Sequence, residues 1–315
     1  MHIVVTGGAG FIGANLVAHL ASRPEPPRVT VLDDLSSGSL ANLEGIEGHQ
    51  FIEGSILDDD ALDAALGGSR VDGVVHLAAL PSVPRSIADP IASHEANATG
   101  TLKVLEAVRR HGAGHVVVAS SSSVYGANPR LPKSEDMRPQ PLSPYAVSKL
   151  AAESYALAHA HCYGIRALAF RFFNVFGPKQ PAGHDYAAVV PAFVDAALAG
   201  RPLPVYGDGL QSRDFTYVGT VCRVLADAVQ RGVESPDPVN LAFGSRRTLL
   251  DLIALLQEVL GTPVTIDHRD PRPGDVRHSQ ADGMRLHQLF PDVEPVDFET
   301  GLRATIDWFT GTGNA

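Results

Sequence analysis

An apolar strand-like run, His2-Ile-Val-Val-Thr6, passes directly into Thr6-Gly-Gly-Ala-Gly-Phe-Ile-Gly13, and residues 14–20 follow with helical character. No other stretch limits the possible folds so strongly. Gly8-x-Gly10-x-x-Gly13 fits a dinucleotide fingerprint, and Gly7-x-x-Gly10-x-x-Gly13 fits a variant of it. Such glycines let the chain turn tightly and bring backbone N–H groups against a pyrophosphate at a helix N-terminus. The second strand, Arg28-Val-Thr-Val-Leu32, ends in Asp33, an acid at the distance expected for holding an adenosine ribose diol. No arginine follows in Asp34-Leu-Ser-Ser-Gly38 to receive a 2′-phosphate, which favours NAD over NADP. The plain alternative is a tight strand–helix turn that binds nothing.

Strand-like and helix-like stretches alternate up to about residue 174. Strands are expected at 2–6, 28–33, 49–53, 71–77, 115–120 and 166–172, with helices near 12–21, 58–66, 93–111 and 145–162. That order predicts an α/β fold, a Rossmann-type doubly wound parallel sheet with helices on both faces. Val116-Val-Val-Ala119 is apolar on both faces, as a buried central strand requires. Beyond Asn174 turn-forming residues multiply. Helices are expected up to Ala199 and at 220–231, 248–260 and 298–309, with a short strand in 201–209 and others near 215–218, 239–242 and 263–267. Residues 1–174 are therefore expected to form a nucleotide-binding domain, to which segments near 215–243 return. Residues 175–315 are expected to form mainly a smaller, substrate-binding α/β domain.

The formal charge of −10 argues against a broad nucleic-acid surface. Two cysteines, Cys162 and Cys222, make no disulfide framework, and the thirteen histidines show no metal-ligand spacing. With no apolar run of bilayer length and a strand that starts at residue 2, the expectation is a cytoplasmic protein with no membrane partner.

Ser143-Pro-Tyr-Ala-Val-Ser-Lys149 carries the chemistry. Ser143 and Pro144 read as a helix N-cap and first helical position. Tyr145 and Lys149 then share one helical face, four residues apart. A tyrosine has a pKa of about 10, and a neighbouring ammonium is expected to lower it toward the range of a general base. The hydroxyl cluster Ser120-Ser-Ser-Ser123 lies some twenty residues upstream. Its bland reading is a strand-end turn in which hydroxyls cap backbone groups, and that of the Tyr–Lys pair is an exposed pair on a helix.

These elements together resemble the extended short-chain dehydrogenase/reductase superfamily, and within it the nucleotide-sugar 4-epimerases. The resemblance spans nearly the whole chain, through His76-Leu-Ala-Ala79, Asn97-Ala-Thr-Gly100, Arg171-Phe-Phe-Asn-Val-Phe-Gly177, Tyr206-Gly-Asp-Gly209, Ser212-Arg-Asp-Phe215 and Arg272-Pro-Gly-Asp275. It implies that Tyr145 takes the O4 proton of a UDP-hexose while bound NAD takes hydride from C4, the hydride then returning to the opposite face of a transient 4-keto sugar. Ser121 would bond O4 and Lys149 the nicotinamide ribose.

The resemblance implies further NAD contacts at Gly7, Gly10, Phe11, Ile12, Gly13, Asp33, Ser37 and Gly38, and at Ser55, Ile56, Leu77, Ala78 and Ala79. It implies substrate contacts at Ser82, Arg85, Ser122, Ser123, Asn174 and Val190. Tyr206 would lie against uracil, Arg213 and Arg272 would grip the diphosphate, Asp275 would bind a ribose hydroxyl, and Ser279 would border the sugar. A homodimer through helices 93–111 and 145–162 is implied as well, with Ala151, Ala152 and Ser154 small enough for close packing there, though the same residues equally suit packing within the chain.

Similar 4,6-dehydratases carry Asp-Glu at the third and second positions before the tyrosine matching Tyr125, and decarboxylases carry Glu at the second. This chain has Ser122 and Ser123 there, and hydroxyls are poor acid–base groups for removing water. A dehydratase, a decarboxylase and a non-catalytic NAD-binding regulator remain the alternatives. Ser55 stands where the family usually has Asp at the adenine. Small Ser279 leaves room for an N-acetyl group without rejecting a hydroxyl. Arg85, if it faces the sugar, would suit a C6 carboxylate, whereas Pro181 replaces an arginine found in similar uronate epimerases.

Overall fold

Valine-rich runs become strands because they can be buried on both faces at once. The computed structural model describes residues 1–182, 187–270 and 277–311. Its first half runs β1 His2–Thr6, α1 Phe11–Ala21, β2 Arg28–Asp33, β3 His49–Glu53, α2 Asp59–Leu66 and β4 Gly73–His76. Then come α3 Val83–Ala88, α4 Pro90–His94, a π-helical turn Glu95–Thr99, α5 Gly100–His111 and β5 Val116–Ser121. A 3-10 turn Ser122–Tyr125 precedes α6 Pro144–Tyr163 and β6 Ala167–Phe172.

The second half runs β7 Val175–Phe176, α7 Val189–Leu198, β8 Leu203–Tyr206, β9 Ser212–Asp214, β10 Thr216–Tyr217 and α8 Val218–Arg231. It continues with β11 Val239–Leu241, β12 Arg246–Thr248, α9 Leu249–Leu260, β13 Ile266–Arg269, α10 Met284–Leu289 and α11 Phe298–Thr310.

Seven strands form one sheet in the order β11-β6-β5-β4-β1-β2-β3, and all its pairings are parallel. Strands β2 and β4 flank β1 on opposite sides, so the connections leave a crevice at the carboxyl end of β1, where ligands bind in doubly wound folds. One apolar core joins α1, α8 and α10 to a face of the sheet through Leu16, Leu20, Val221, Leu225 and Phe290. Another joins α2, α5 and α6 to the opposite face through Leu62, Leu105, Ala152 and Ala156. A third, around Phe193, Leu203, Leu252, Leu256 and Ile306, builds the remainder from α7, α9, α11 and the β8–β13 pair.

The expected helix 93–111 is interrupted. The π turn Glu95–Thr99 rotates Asn97 inward, where Nδ2 donates to the Leu80 carbonyl (3.1 Å) and to Ser148 Oγ (3.0 Å) while Oδ1 accepts from Leu80 N (2.7 Å). Short π segments of this kind often occur at functional sites. Helix α3 was not expected. It starts where Ser82, at φ +101°, accepts from Arg85 N at 3.3 Å.

Where α6 packs on β5 and β6 lies an ion pair sealed from water. Arg171 of β6 grips Glu153 of α6 with two bonds, at 2.6 and 3.1 Å, and both side chains are 3% exposed. Ser120 Oγ donates to the same carboxylate at 2.7 Å, and the guanidinium stacks 4.7 Å from the Tyr125 ring centre. Removing one partner of such a pair strands the other charge in the interior. Glu153→Ala is therefore expected to destabilise the fold by about 3–5 kcal/mol, read as the loss in unfolding free energy under chemical denaturation.

Candidate active site

The crevice opens into a cleft of about 970 Å³ that runs from the glycine turn to β8 and β9. At its first end Gly7, at φ +71°, starts a turn that only a residue without a side chain permits, since a methyl there would lie 2.6 Å from Ala78 N. A methyl on Gly13 would lie 2.2 Å from the Gly7 carbonyl oxygen, and one on Gly10 would meet only that oxygen, at 3.2 Å, while projecting into the cleft. Helix α1 begins here without a side-chain cap. Asp33, 7% exposed, accepts from Ala9 N at 2.9 Å and Leu35 N at 2.8 Å, which ties the end of β2 to the glycine turn. Burial pushes its carboxyl up, against the pull of these backbone amides.

The residues present fit a dinucleotide. Side-chain-free space stands over an uncapped helix start, with a carboxylate at the neighbouring strand end. Phe11, Ile12, Ser37, Ser55, Ile56, Leu77, Ala78 and Ala79 line the same cleft. Gly38 does not line it. A methyl there would stand 2.8 Å from the Ala9 carbonyl carbon, so Gly38 serves by packing under the glycine turn.

At the centre Ser121, Ser122, Ser123, Tyr145 and Lys149 share the wall. Helix α6 presents the last two because Ser143 caps it, accepting from Ala146 N at 3.2 Å, and Pro144 occupies its first turn. Ser121 Oγ accepts from both Ser123 Oγ (2.9 Å) and Ser123 N (3.2 Å), and its hydroxyl acts on the Tyr145 phenol to draw that group's pKa down. With its lone pairs so engaged, the Ser121 proton is free to point at Tyr145.

The expected electrostatics differ from the structure here. Burial pushes the Tyr145 hydroxyl above its ordinary value, and the bond from Ser121 only partly offsets this. Lys149 is 6% exposed, lowered by burial to about 8, and donates to the Ala119 carbonyl at 2.9 Å. Its ammonium is thus anchored to β5, and the protein's own groups leave Tyr145 a neutral phenol.

At the far end Asn174, Val190, Tyr206, Arg213 and Ser279 line the cleft. Asn174 holds a positive φ of +20° and donates to the Asp214 carbonyl at 3.4 Å. Arg213 Nη1 donates to the carbonyls of Ser212 and Arg277, and Ser279 N bonds Ser212 O at 3.0 Å. Buried Asp214 accepts from Ala281 N at 2.9 Å; burial pushes its carboxyl up to about 7 despite the amides of Ala281, Gly244 and Ser245.

Ser82 and Arg85 are not brought into the cleft wall. The Ser82 hydroxyl is used in capping α3, and Arg85 is exposed. Arg272 and Asp275 lie outside the described residues. Gln211 and Lys133 are among the lining residues that escaped the sequence reading. Gln211 donates to the Tyr206 carbonyl at 2.7 Å, and Lys133 enters from the loop before α6. No local pattern marks either, because distant segments bring them to the cleft.

His76 is 3% exposed, bonded to Thr6 Oγ1 (2.7 Å) and Thr101 Oγ1 (2.9 Å), and pushed down to about 3 by burial and then by Lys149. It is a neutral strut under the glycine turn. Among the described residues no group of three or more histidine, cysteine, aspartate or glutamate side chains could hold a metal ion, and no helix is long and apolar enough to cross a membrane. Gly13→Ala is expected to abolish NAD retention, measured as cofactor released when the purified variant is denatured.

Comparison with known proteins bears on the same site. A UDP-glucose 4-epimerase of Mycolicibacterium smegmatis is 35% identical over 319 residues, covering 98% of each chain. A dTDP-glucose 4,6-dehydratase of Streptomyces griseus is 33% identical, over 98% of this chain and 94% of that one. The solved UDP-N-acetylglucosamine 4-epimerase of Methanobrevibacter ruminantium M1, in complex with UDP-N-acetylmuramic acid, superposes with a TM-score of 0.92 at 38% identity over 98% of each chain. The family model described as the NAD dependent epimerase/dehydratase family matches residues 3–242. This chain belongs to the NAD-dependent epimerase/dehydratase family, whose cofactor is NAD.

Proposed function

We propose that the chain is an NAD-dependent UDP-sugar 4-epimerase, with UDP-glucose, UDP-N-acetylglucosamine and UDP-glucuronate as its candidate substrates. One observation carries this over the dehydratase reading that the relatives also admit. At the reacting wall the two positions that would supply an acid and a base for dehydration hold Ser122 and Ser123, and the hydroxyl of Ser123 is bonded to Ser121. The wall is built to move one proton along hydroxyls.

The glycine-turn half of the cleft is read as the NAD side, and the part bounded by Tyr206, Arg213 and Ser279 as the nucleotide-sugar side. NAD bound there would supply the hydride acceptor for the sugar C4 and the donor to its opposite face. Tyr145 takes the O4 proton and gives it back. Ser121 steadies the phenolate through its hydrogen bond, and Lys149, fixed to Ala119, supplies a positive charge below the reacting groups. The reaction is redox-neutral, so turnover needs no added cofactor and accumulates no NADH.

Tyr145→Phe is expected to lower kcat by about 10²–10⁴-fold with NAD still bound, assayed by conversion of the three UDP-sugars. Since the base acts deprotonated and burial raises its pKa, kcat/KM falls as pH drops through that value. Ser121→Ala removes the bond that holds the pKa down and is expected to move the limb to higher pH. A limb unmoved in that variant counts against the relay.

The assembly proposed is a homodimer through the outer face of α3, α4 and α6. Ile87 (65% exposed), Ile91 (68%), Val147 (51%) and Tyr155 (39%) stand there, whereas Ala152 is fully buried in the chain's own core, the second of the two packings open to it. Light scattering should give twice the chain mass, and Ile91→Glu combined with Val147→Glu should halve it.

A further inference from the structure

A fully buried amide ties the serine wall to the segment that carries Ser279, without itself lining the cleft. It belongs to Asn240, in the middle of β11. Nδ2 donates to the Lys133 carbonyl at 2.8 Å and to the Asp282 carbonyl at 3.2 Å, and Oδ1 accepts from the Tyr125 hydroxyl at 2.6 Å. The partners dictate this orientation. Backbone carbonyls can only accept, so the amide nitrogen must face them, and the oxygen then faces the phenol and takes its proton.

Each partner leads to a wall of the cleft. Tyr125 ends the turn Ser122–Tyr125, which Ser121 opens by accepting from Ser123 N, and these residues line the cleft. On the other side, Lys133 pairs in parallel with Ala281. Lys133 N donates to Gln280 O at 2.7 Å, and Asp282 N donates to Lys133 O at 2.8 Å. Ser279, in the same segment, lines the cleft, and its N donates to Ser212 O at 3.0 Å. Asp214 of β9 holds Ala281 N at 2.9 Å.

Asn240 itself is held in place. Its strand pairs with β6, with Asn240 opposite Arg171, and its N donates to Glu135 Oε1 at 2.8 Å. Val124, Tyr125, Phe173, Ala242 and Ala281 share one apolar cluster here. Apolar contact is non-directional and brings the two walls together without specifying a separation. A buried amide with donors and acceptor all engaged does specify one.

We propose that Asn240 is a positioning residue for the sugar: through Tyr125 on one side and Asp282 and Lys133 on the other, it fixes the distance between the serine wall and Ser279, so that a hexose bounded by Ser279 presents its C4 hydroxyl to Ser121 and Tyr145. This rests on the 4-epimerase reading. The bland reading is a core amide that only fastens the loop before α6 to the sheet, whose loss lowers stability and leaves catalysis alone.

Two variants of the full chain separate these. Tyr125→Phe cuts the link at its serine end and keeps the ring, while Asn240→Asp keeps the shape but turns an oxygen toward the two carbonyls. Each is assayed for kcat with the UDP-sugar that the wild type converts best, for NAD released on denaturation, and for Ki of UDP as a competitive inhibitor. Misplacing the reacting carbon is expected to lower kcat by about tenfold or more in both, with NAD retention and the Ki of UDP unchanged. An unchanged kcat in Tyr125→Phe overturns the proposal while sparing the epimerase reading. So does a loss of NAD and UDP binding in step with kcat, because the damage is then general. A loss confined to Tyr125→Phe also overturns it, by placing the effect in the phenol's own contact with the cleft. Should Asn240→Asp fail to fold, the pattern in Tyr125→Phe decides alone. A wild type that epimerises no UDP-sugar overturns both readings.

Discussion

The ion pair between Glu153 and Arg171 holds Ser121, Tyr145 and Lys149 in register. Glu153 sits one helical turn beyond Lys149 on α6, Arg171 belongs to β6, and Ser120 on β5 donates to the same carboxylate while also bonding the Lys149 carbonyl at 3.3 Å. Tyr145 and Lys149 on the helix and Ser121 on the strand are thus fixed relative to one another from below. Burial makes the geometry demanding. An exposed pair contributes little and tolerates many arrangements, whereas a dry one is stable only when each charge meets its partner.

Much of this was legible in the sequence because the informative patterns are local. A strand, a glycine turn and a helix adjoin within residues 2–21, and the Ser143-Pro144 entry sets the phase of α6 and so the face shared by Tyr145 and Lys149. Capping chemistry and strand composition act over a few residues and survive any tertiary context. The return of the chain to the main sheet at β11, beside β6, rests on Val239 and Leu241, both fully buried there.

What was not legible depends on approach between distant segments. Nothing around residue 97 announces a π turn, whose energy is recovered from bonds to Leu80 and Ser148. Lys133, in a proline-flanked polar loop, has nothing local to mark it as buried; its backbone bonds to Gln280 and Asn240 draw it inside. The titration of Tyr145 was misjudged for a related reason. Spacing reveals that an amine lies one turn away, but not that the Ala119 carbonyl claims it or that desolvation outweighs it.

The chain does not visit its two sides once each. After β6 it builds part of the third core around Phe193 and Leu203, returns to the sheet with Val221, Leu225 and Leu241, leaves with Leu252 and Leu256, returns with Leu286 and Phe290, and ends in Leu302 and Ile306. So interlaced a thread has no single joint about which the two sides could swing. A rigid-body swing of one core against the other would have to bend several connections at once, so the alternation itself stiffens the cleft.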